Sequence, residues 1–332
     1  MQVVIAGAGV MGRLLAWQLA RAGHRVAVVD PAEGPAQPGA AAFTAAGMLS
    51  PLAEREHASA EVAALGWRSL ALWPAIAQAL GQPALVRTAG SLLLAHGPDL
   101  GAAQRVLSRL PAGPQPLDRA ALHALEPALV PDLKAWLLPG EGQLLPHELL
   151  QALARQAPDV DWFWGRRATC VRPRRLELDD GQWLDADLVI DTRGLGAQPD
   201  LAALRGVRGE VLWLHAPGVA LHHPVRLLHP RHRVYLVPRP GDIIVVGASE
   251  VESEDRSPVS LRSAVELLSA AHSVLPGLAE ARIVHMETNL RPALPDHQPH
   301  LAREPGLLRI NGLFRHGWLL APALAEQVLD HV

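Results

Sequence analysis

The sequence predicts an α/β fold: a parallel sheet flanked by helices, with an antiparallel α+β lobe inserted into it. Three observations predict it. The first thirty residues run strand, glycine turn, helix, strand. A late apolar strand, Leu188 to Asp191, opens into small residues, as a strand returning to the same sheet would. Residues 205 to 285 read as antiparallel strands with one helix.

The opening stretch is the most specific. "QVVIAG" is a short apolar strand, "RLLAWQLARAG" an apolar-periodic helix, and "RVAVVD" a second strand closing on Asp30. Between the first two lies Gly7-Ala8-Gly9-Val10-Met11-Gly12, a G-x-G-x-x-G with an acid about 20 residues on, the Rossmann-like dinucleotide pattern. Gly7 permits the tight turn, Gly9 lets backbone approach a pyrophosphate, and Gly12 lets helix and strand pack. Unpaired N–H groups at the helix start, Val10 and Met11, suit phosphates. Asp30, followed by Pro31, can accept hydrogen bonds from ribose hydroxyls.

Composition narrows the partners. The chain has 332 residues, 49% hydrophobic and 19% charged, enough for two lobes with a sizeable core. A net charge of -3 gives no reason to expect nucleic acid or an anionic membrane. Lys134 is the only lysine, so lysine-based covalent chemistry has one candidate. Cys170 is the only cysteine, which excludes an intrachain disulfide and a cysteine metal cage. No apolar run reaches the 18 or so residues of a membrane span, and no basic leader precedes the first strand; the expected location is cytoplasmic. A homo-oligomer is allowed but not specified.

Taken in order, residues 31 to 42 form a Pro/Gly/Ala loop leading to the small-residue run Phe43 to Glu54, which suits backbone lying close to a flat ligand. Residues 58 to 80 predict a helix kinked or broken at Pro74. Gly90 to His96 predicts a strand, and 99 to 130 a helical segment with a turn at "LEPAL". Pro146 opens another helix. Residues 161 to 191 alternate like strands, turning at Asp180-Gly181 and ending before Gly194. "GEVLWLHA" predicts a strand, and "VYLVPRPGDIIVVGASE" a hairpin turning at Pro240-Gly241. An amphipathic helix, "VSLRSAVELLSAAHSVL", and the strand "ARIVHMETNLRPALPD" follow. The last segment predicts a strand, a loop centred on Arg315, and a closing helix.

Seven blocks, in order over nearly the whole chain, resemble the FAD-dependent D-amino acid oxidase family and its glycine oxidase (ThiO-like) branch. They are the Gly7/Gly9/Gly12 loop with Asp30, "AAGML" at 45 to 49 with Glu54, "ADLVIDTRGLGA", "RGVRGEV", "YLVPR", "LRP" at 290 to 292, and "FRHGWLLAP". The resemblance implies non-covalent FAD. It implies a nucleotide domain from residues 1 to 84, 143 to 204 and 286 to 332, and a substrate domain from 85 to 142 and 205 to 285. The family's flavin contacts fall on Ala41, Ala42, Ala46, Gly47, Met48 and Gly194. They continue in the late loop Leu313, Phe314, Arg315, His316, Gly317, Trp318 and Leu319.

The implied reaction is oxidative deamination of a small amino acid or related amine. Hydride passes from Cα to flavin N5, the imine hydrolyses, and O2 is reduced to H2O2. The implied catalytic residues are Arg291, gripping the substrate carboxylate in a bidentate fork, Tyr235, donating to the same carboxylate, and Arg315 at the flavin edge. Alternatives stay beside these: Arg291 paired with Asp296, and Tyr235 as a packed strand aromatic. Glu54 aligns with an acid of the access loop, where it would attract an ammonium group or, the stronger expectation, be solvated. Glu250 stands where the branch has a pocket methionine. A carboxylate there should face water, an arginine or a cationic part of the substrate, which puts glycine in doubt. His316 replaces an asparagine beside the substrate pocket, where it would tune the flavin or contact substrate or, the stronger expectation, be a hydrogen-bonded loop histidine.

The histidines of "HHPVRLLHPRH" lack metal-ligand spacing and read as a surface loop, with no metal expected. Cys170 reads as a small buried hydrophobe, and "RPRR" as a solvated run. Rival readings are a flavin dehydrogenase passing electrons to a quinone or carrier, and a flavin-binding protein without turnover. An NAD-dependent enzyme is disfavoured by the late block.

Overall fold

The computed structural model describes residues 1–55, 58–110, 113–229 and 233–330. Its nucleotide-side sheet has the strand order His300–Glu304, Leu307–Asn311, Leu188–Asp191, Gln2–Ala6, Arg25–Asp30, Asp161–Trp164. All neighbours are parallel except the first pair. The register aligns Ala6 with Val29 on one side and Asp191 on the other. The carboxyl ends of the central strands therefore meet along one rim, where parallel sheets bind ligands. These strands are apolar because both faces are covered: Val3, Ile5, Val26 and Val28 pack with the first helix, while Val4, Val29 and Val189 pack under a small antiparallel sheet.

The second sheet runs Arg282–Ala293, Arg205–His215, Ile243–Gly247, Arg233–Arg239, Val225–Leu228, Ser91–Ala95, Lys134–Leu138, Gln115–Leu117. It is antiparallel apart from the pairing of Val225–Leu228 with Ser91–Ala95. Leu212, Leu214, Val234, Leu236, Ile244 and Val246 bury one face of it against the helix Leu261–Val274. The opposite face carries Val211, Val237 and Val245 and packs on Ala46 of the first half of the chain.

Several expectations need correction. The first helix starts at Val10, three residues before the apolar period shows it. The helix Ala60–Ala79 runs through Pro74 without a break. It packs on the closing helix Gly317–Leu329, with Gly66 giving way to Leu319 and Trp73 Nε1 donating to the Trp318 carbonyl at 2.9 Å. Tertiary packing outweighs the lost hydrogen bond. The segment 99 to 130 is not one helical unit. Helices Leu100–Leu107 and Arg119–Leu125 flank the strand Gln115–Leu117, an edge strand that tolerates Pro116. Strands Lys134–Leu138 and Gly142–Leu144 lay hidden because neither alternates clearly. The histidine-rich run contains the strand Val225–Leu228, and His232 lies outside the described residues. Glu126 accepts from the His222 and His223 backbone N–H groups. Cys170 is partly exposed rather than buried. Among the described residues, no helix is long and apolar enough to cross a membrane, and no cluster of metal-binding side chains occurs.

Candidate active site

A cavity of about 1130 Å³ runs from the rim of the parallel sheet to the antiparallel lobe. That exceeds the span usual for one small ligand, roughly 300–1,000 Å³, and suits a long cofactor with a substrate beside it.

At the rim end, Gly7 adopts a left-handed φ of 97°, and a Cβ there would sit 2.7 Å from the Thr192 carbonyl oxygen. A Cβ on Gly12 would fall 1.8 Å from the Gly7 carbonyl, so this glycine seats helix on strand. A Cβ on Gly9 would meet nothing nearer than Ala40 at 3.7 Å and would point into open space at the cavity wall. The helix beginning at Val10 has no side-chain cap, which leaves its first N–H groups available to an anion. Asp30 accepts from the Ala8 N–H at 2.6 Å and the Ala32 N–H at 2.9 Å. Each of its oxygens keeps a further lone pair for a ribose hydroxyl.

Sequence reasoning missed Arg13, which is almost fully buried and donates to the carbonyls of Ala8, Pro35 and Leu150. Burial pulls it down to about 10, against the pull of Asp30. It ties the glycine loop to the following loop and to a second helix; an arginine in the apolar first turns of the helix is the signal that could have revealed it.

The middle of the cavity is lined by Ala41, Ala42, Ala46, Gly47 and Met48. Gly47 has φ 67°, and its would-be Cβ lies 2.4 Å from the Leu144 carbonyl. Arg239, lowered to about 10 by burial, donates to the Leu144 and Ala46 carbonyls and holds this run against the lobe. Asn289 reaches across as well, donating to the Ala40 carbonyl at 3.3 Å and Thr44 Oγ1 at 3.1 Å.

Arg291 and Tyr235 meet at the lobe end. Arg291 comes from the edge strand and donates to the backbone carbonyls of Arg208 at 3.3 Å and Ser249 at 3.1 Å. Among the described residues it has no carboxylate partner, and the alternative pairing with Asp296 does not occur. Burial lowers its pKa, against the pull of Tyr235 and Glu250. Burial raises the Tyr235 phenol, with Arg291 opposing, so it remains a hydrogen-bond donor. Two glycines make the room. A Cβ on Gly209 would lie 2.4 Å from Arg291 Nη2, and one on Gly247 would lie 2.5 Å from the Tyr235 hydroxyl. Both glycines sit in blocks already visible in the sequence, but which side chain each admits depends on strand register.

The largest departure concerns Glu54. It is buried, not solvated. Its Oε1 accepts from Arg226 at 2.9 Å, and its Oε2 accepts from Arg315 Nη2 at 2.6 Å and contacts His316 Nε2 at 3.0 Å. Burial would raise its pKa, yet Arg315 and Arg226 hold it well below the usual carboxylate range. Burial likewise opposes the charge on Arg315, but Glu54 and Glu250 hold its pKa above the ordinary value. Glu250 meets Arg315 Nη1 at 3.3 Å, as a carboxylate in that position required. Behind Glu54, the fully buried Glu141 accepts from the Leu52 and Ala53 N–H groups and from Ser91 Oγ at 2.5 Å. It thereby fixes the turn that presents Glu54; burial raises its pKa, opposed by these bonds. Arg226 and Glu141 carried no sequence signal.

Pro31, Gly194, Leu313, Phe314, Gly317 and Trp318 also line the cavity, whereas Gly12, His316 and Leu319 lie behind its wall.

Comparison with known proteins identifies the family. The family model DAO, FAD dependent oxidoreductase, matches residues 2–331. A Rhizobium etli protein designated a thiamine biosynthesis oxidoreductase, ThiO, is 40% identical, covering 99% of this chain and 95% of its own. The crystal structure of glycine oxidase from Geobacillus kaustophilus superposes with a TM-score of 0.87 at 27% identity, covering 99% of this chain and 93% of that one. That of iminodiacetate oxidase from Chelativorans sp. BNC1 gives 0.83 at 27% identity, covering 98% and 93%.

Proposed function

The chain belongs to the DAO family of FAD-dependent oxidoreductases, and on that premise we propose that it oxidises the C–N bond of a small amino acid or related primary or secondary amine. The observation that carries this reading is a partly buried guanidinium without a carboxylate partner among the described residues, Arg291, beside Tyr235 in the cavity that also contains the dinucleotide loop. A charge in that setting is costly unless a ligand completes it, and a carboxylate is the complement of a guanidinium fork.

The residues present fit FAD: an uncapped helix start and an unobstructed Gly9 at one end, and a small-residue wall along the middle. When bound, FAD supplies the hydride acceptor and the difficult part of the chemistry. The rest belongs to the protein. Arg291 and Tyr235 hold the substrate carboxylate, which fixes the reacting carbon in one orientation, an effect that can be worth several kcal/mol. No lysine or cysteine is needed, in keeping with one of each in the chain. The access side of the pocket carries charge already paired within the protein, so the amine is not drawn away from the reacting position. Dioxygen is taken as the electron acceptor because the named structural relatives are oxidases.

The test is a panel of amines mixed anaerobically with the purified yellow protein and scored by loss of the flavin absorbance band. A small amino acid or N-alkyl amino acid should bleach it, and readmitted air should restore it with stoichiometric peroxide. Failure of every amine to bleach the band would refute the reading. Bleaching that only a dye or quinone reverses would reassign the acceptor.

A further inference from the structure

Five charges surround the lobe end of the cavity: Arg226, Arg291, Arg315 and Glu54, which are buried or partly buried, and the exposed Glu250. Four of them form a chain. Arg226 pairs with Glu54 at 2.9 Å, Glu54 with Arg315 at 2.6 Å, and Arg315 with Glu250 at 3.3 Å. Glu54 is the buried carboxylate of this array and is shared by two guanidinium groups, while the exposed Glu250 takes the outer side of Arg315. His316 also faces Glu54, with its Nε2 3.0 Å from the carboxylate. Arg105, Arg109 and Arg256 also line the cavity, but they are exposed, and water and salt screen them.

The geometry points to Glu54 as a specificity-determining residue: by occupying the donors of both Arg226 and Arg315 it confines the pocket to amines with a single carboxylate. This rests on the amine-oxidising reading proposed above. With Glu54 in place, a second carboxylate entering beside Arg315 would displace Glu54 from a buried, hydrogen-bonded position, or lie next to two carboxylates already there. Without its charge, two arginines at one wall become a ready second anion site. Discrimination here comes from repulsion built against the wrong ligand, not from extra contacts to the right one. A purely structural role for Glu54 would scale all substrates alike.

Sarcosine and iminodiacetate are a suitable pair, since the second is N-methylglycine with its methyl replaced by a carboxymethyl group. We expect the wild-type holoenzyme to favour sarcosine. In Glu54→Gln, loaded with flavin, the ratio of kcat/KM for iminodiacetate to that for sarcosine should rise at least tenfold. Calorimetry supplies a readout independent of turnover: the affinity for malonate relative to acetate should rise by a similar factor. Ratios that stay flat or fall in a folded, flavinated Glu54→Gln overturn the inference. Should that variant fail to fold or load, Glu250→Gln removes the outer carboxylate instead and is read the same way. In a wild type inert toward both amines the malonate-to-acetate ratio still decides the role of Glu54, and the full amine panel decides the proposed function separately.

Discussion

At the scale of single residues, the site is a set of charges whose energies are set by burial. Arg291→Ala should raise KM at least tenfold, because charge-assisted hydrogen bonds worth roughly 1.5–3 kcal/mol are lost. Steady-state kinetics with the preferred amine checks it, and an unchanged KM would remove Arg291 from the site. Gly209→Ala makes a subtler perturbation. Its Cβ would come within 2.4 Å of Arg291 Nη2, so the guanidinium must move although no functional group is deleted. KM should rise while flavin content stays at the wild-type level.

Glu54 gives a prediction in pH. Its folded pKa is depressed, so its stabilisation is complete above the unfolded value near 4.3 and is lost as pH falls toward the folded value. Glu54→Gln should therefore cost about 3–5 kcal/mol, the usual penalty for unpairing buried charges, from pH 8 down to 5. The gap from wild type should narrow only below about pH 4.3. Urea midpoints across that range measure it.

At the scale of elements, legibility in the sequence followed range. The strand–turn–helix–strand unit is contiguous, so spacing alone singled out Gly7, Gly9, Gly12 and Asp30 as candidates. Spacing could not place Glu54: its partners Arg226 and Arg315 lie 172 and 261 residues away, and an acid in a loop reads as solvated until those strands arrive. Pro74 misled for a related reason, since the local penalty was visible and the packing on the closing helix was not. The resemblance to relatives supplied candidate positions such as Arg291 and Tyr235, but not Gly209 and Gly247, which earn their place only through cross-strand register.

The glycine loop separates two roles by experiment. Gly9→Val has room in the protein, with 3.7 Å to the nearest atom, yet its side chain would fill the phosphate approach. It should fold with a wild-type apoprotein melting temperature and purify colourless. Gly12→Ala would push a Cβ to 1.8 Å from the Gly7 carbonyl and should lower the melting temperature before any ligand is added. A fully yellow Gly9→Val protein would contradict the phosphate assignment.

At the scale of the whole molecule, the cavity lies where two sheets meet, and polar ties cross it: Asn289 to the Ala40 and Thr44 loop, Arg239 to the Ala46 run, and Glu54 to Arg226. A ligand filling about 1130 Å³ between them should act as a further tie that exists only in the folded state. Such binding stabilises by mass action, about 2.7 kcal/mol at a hundredfold excess over Kd. Titrating FAD into apoprotein should therefore raise the melting temperature by several degrees, with no plateau as FAD rises past Kd, since each further tenfold excess adds about 1.4 kcal/mol. Gly9→Val apoprotein should start from the same temperature and stay there. If wild-type apoprotein melts at one temperature whatever the FAD concentration, the cofactor does not bridge the two halves, and the cavity's length must then be explained by something other than a dinucleotide.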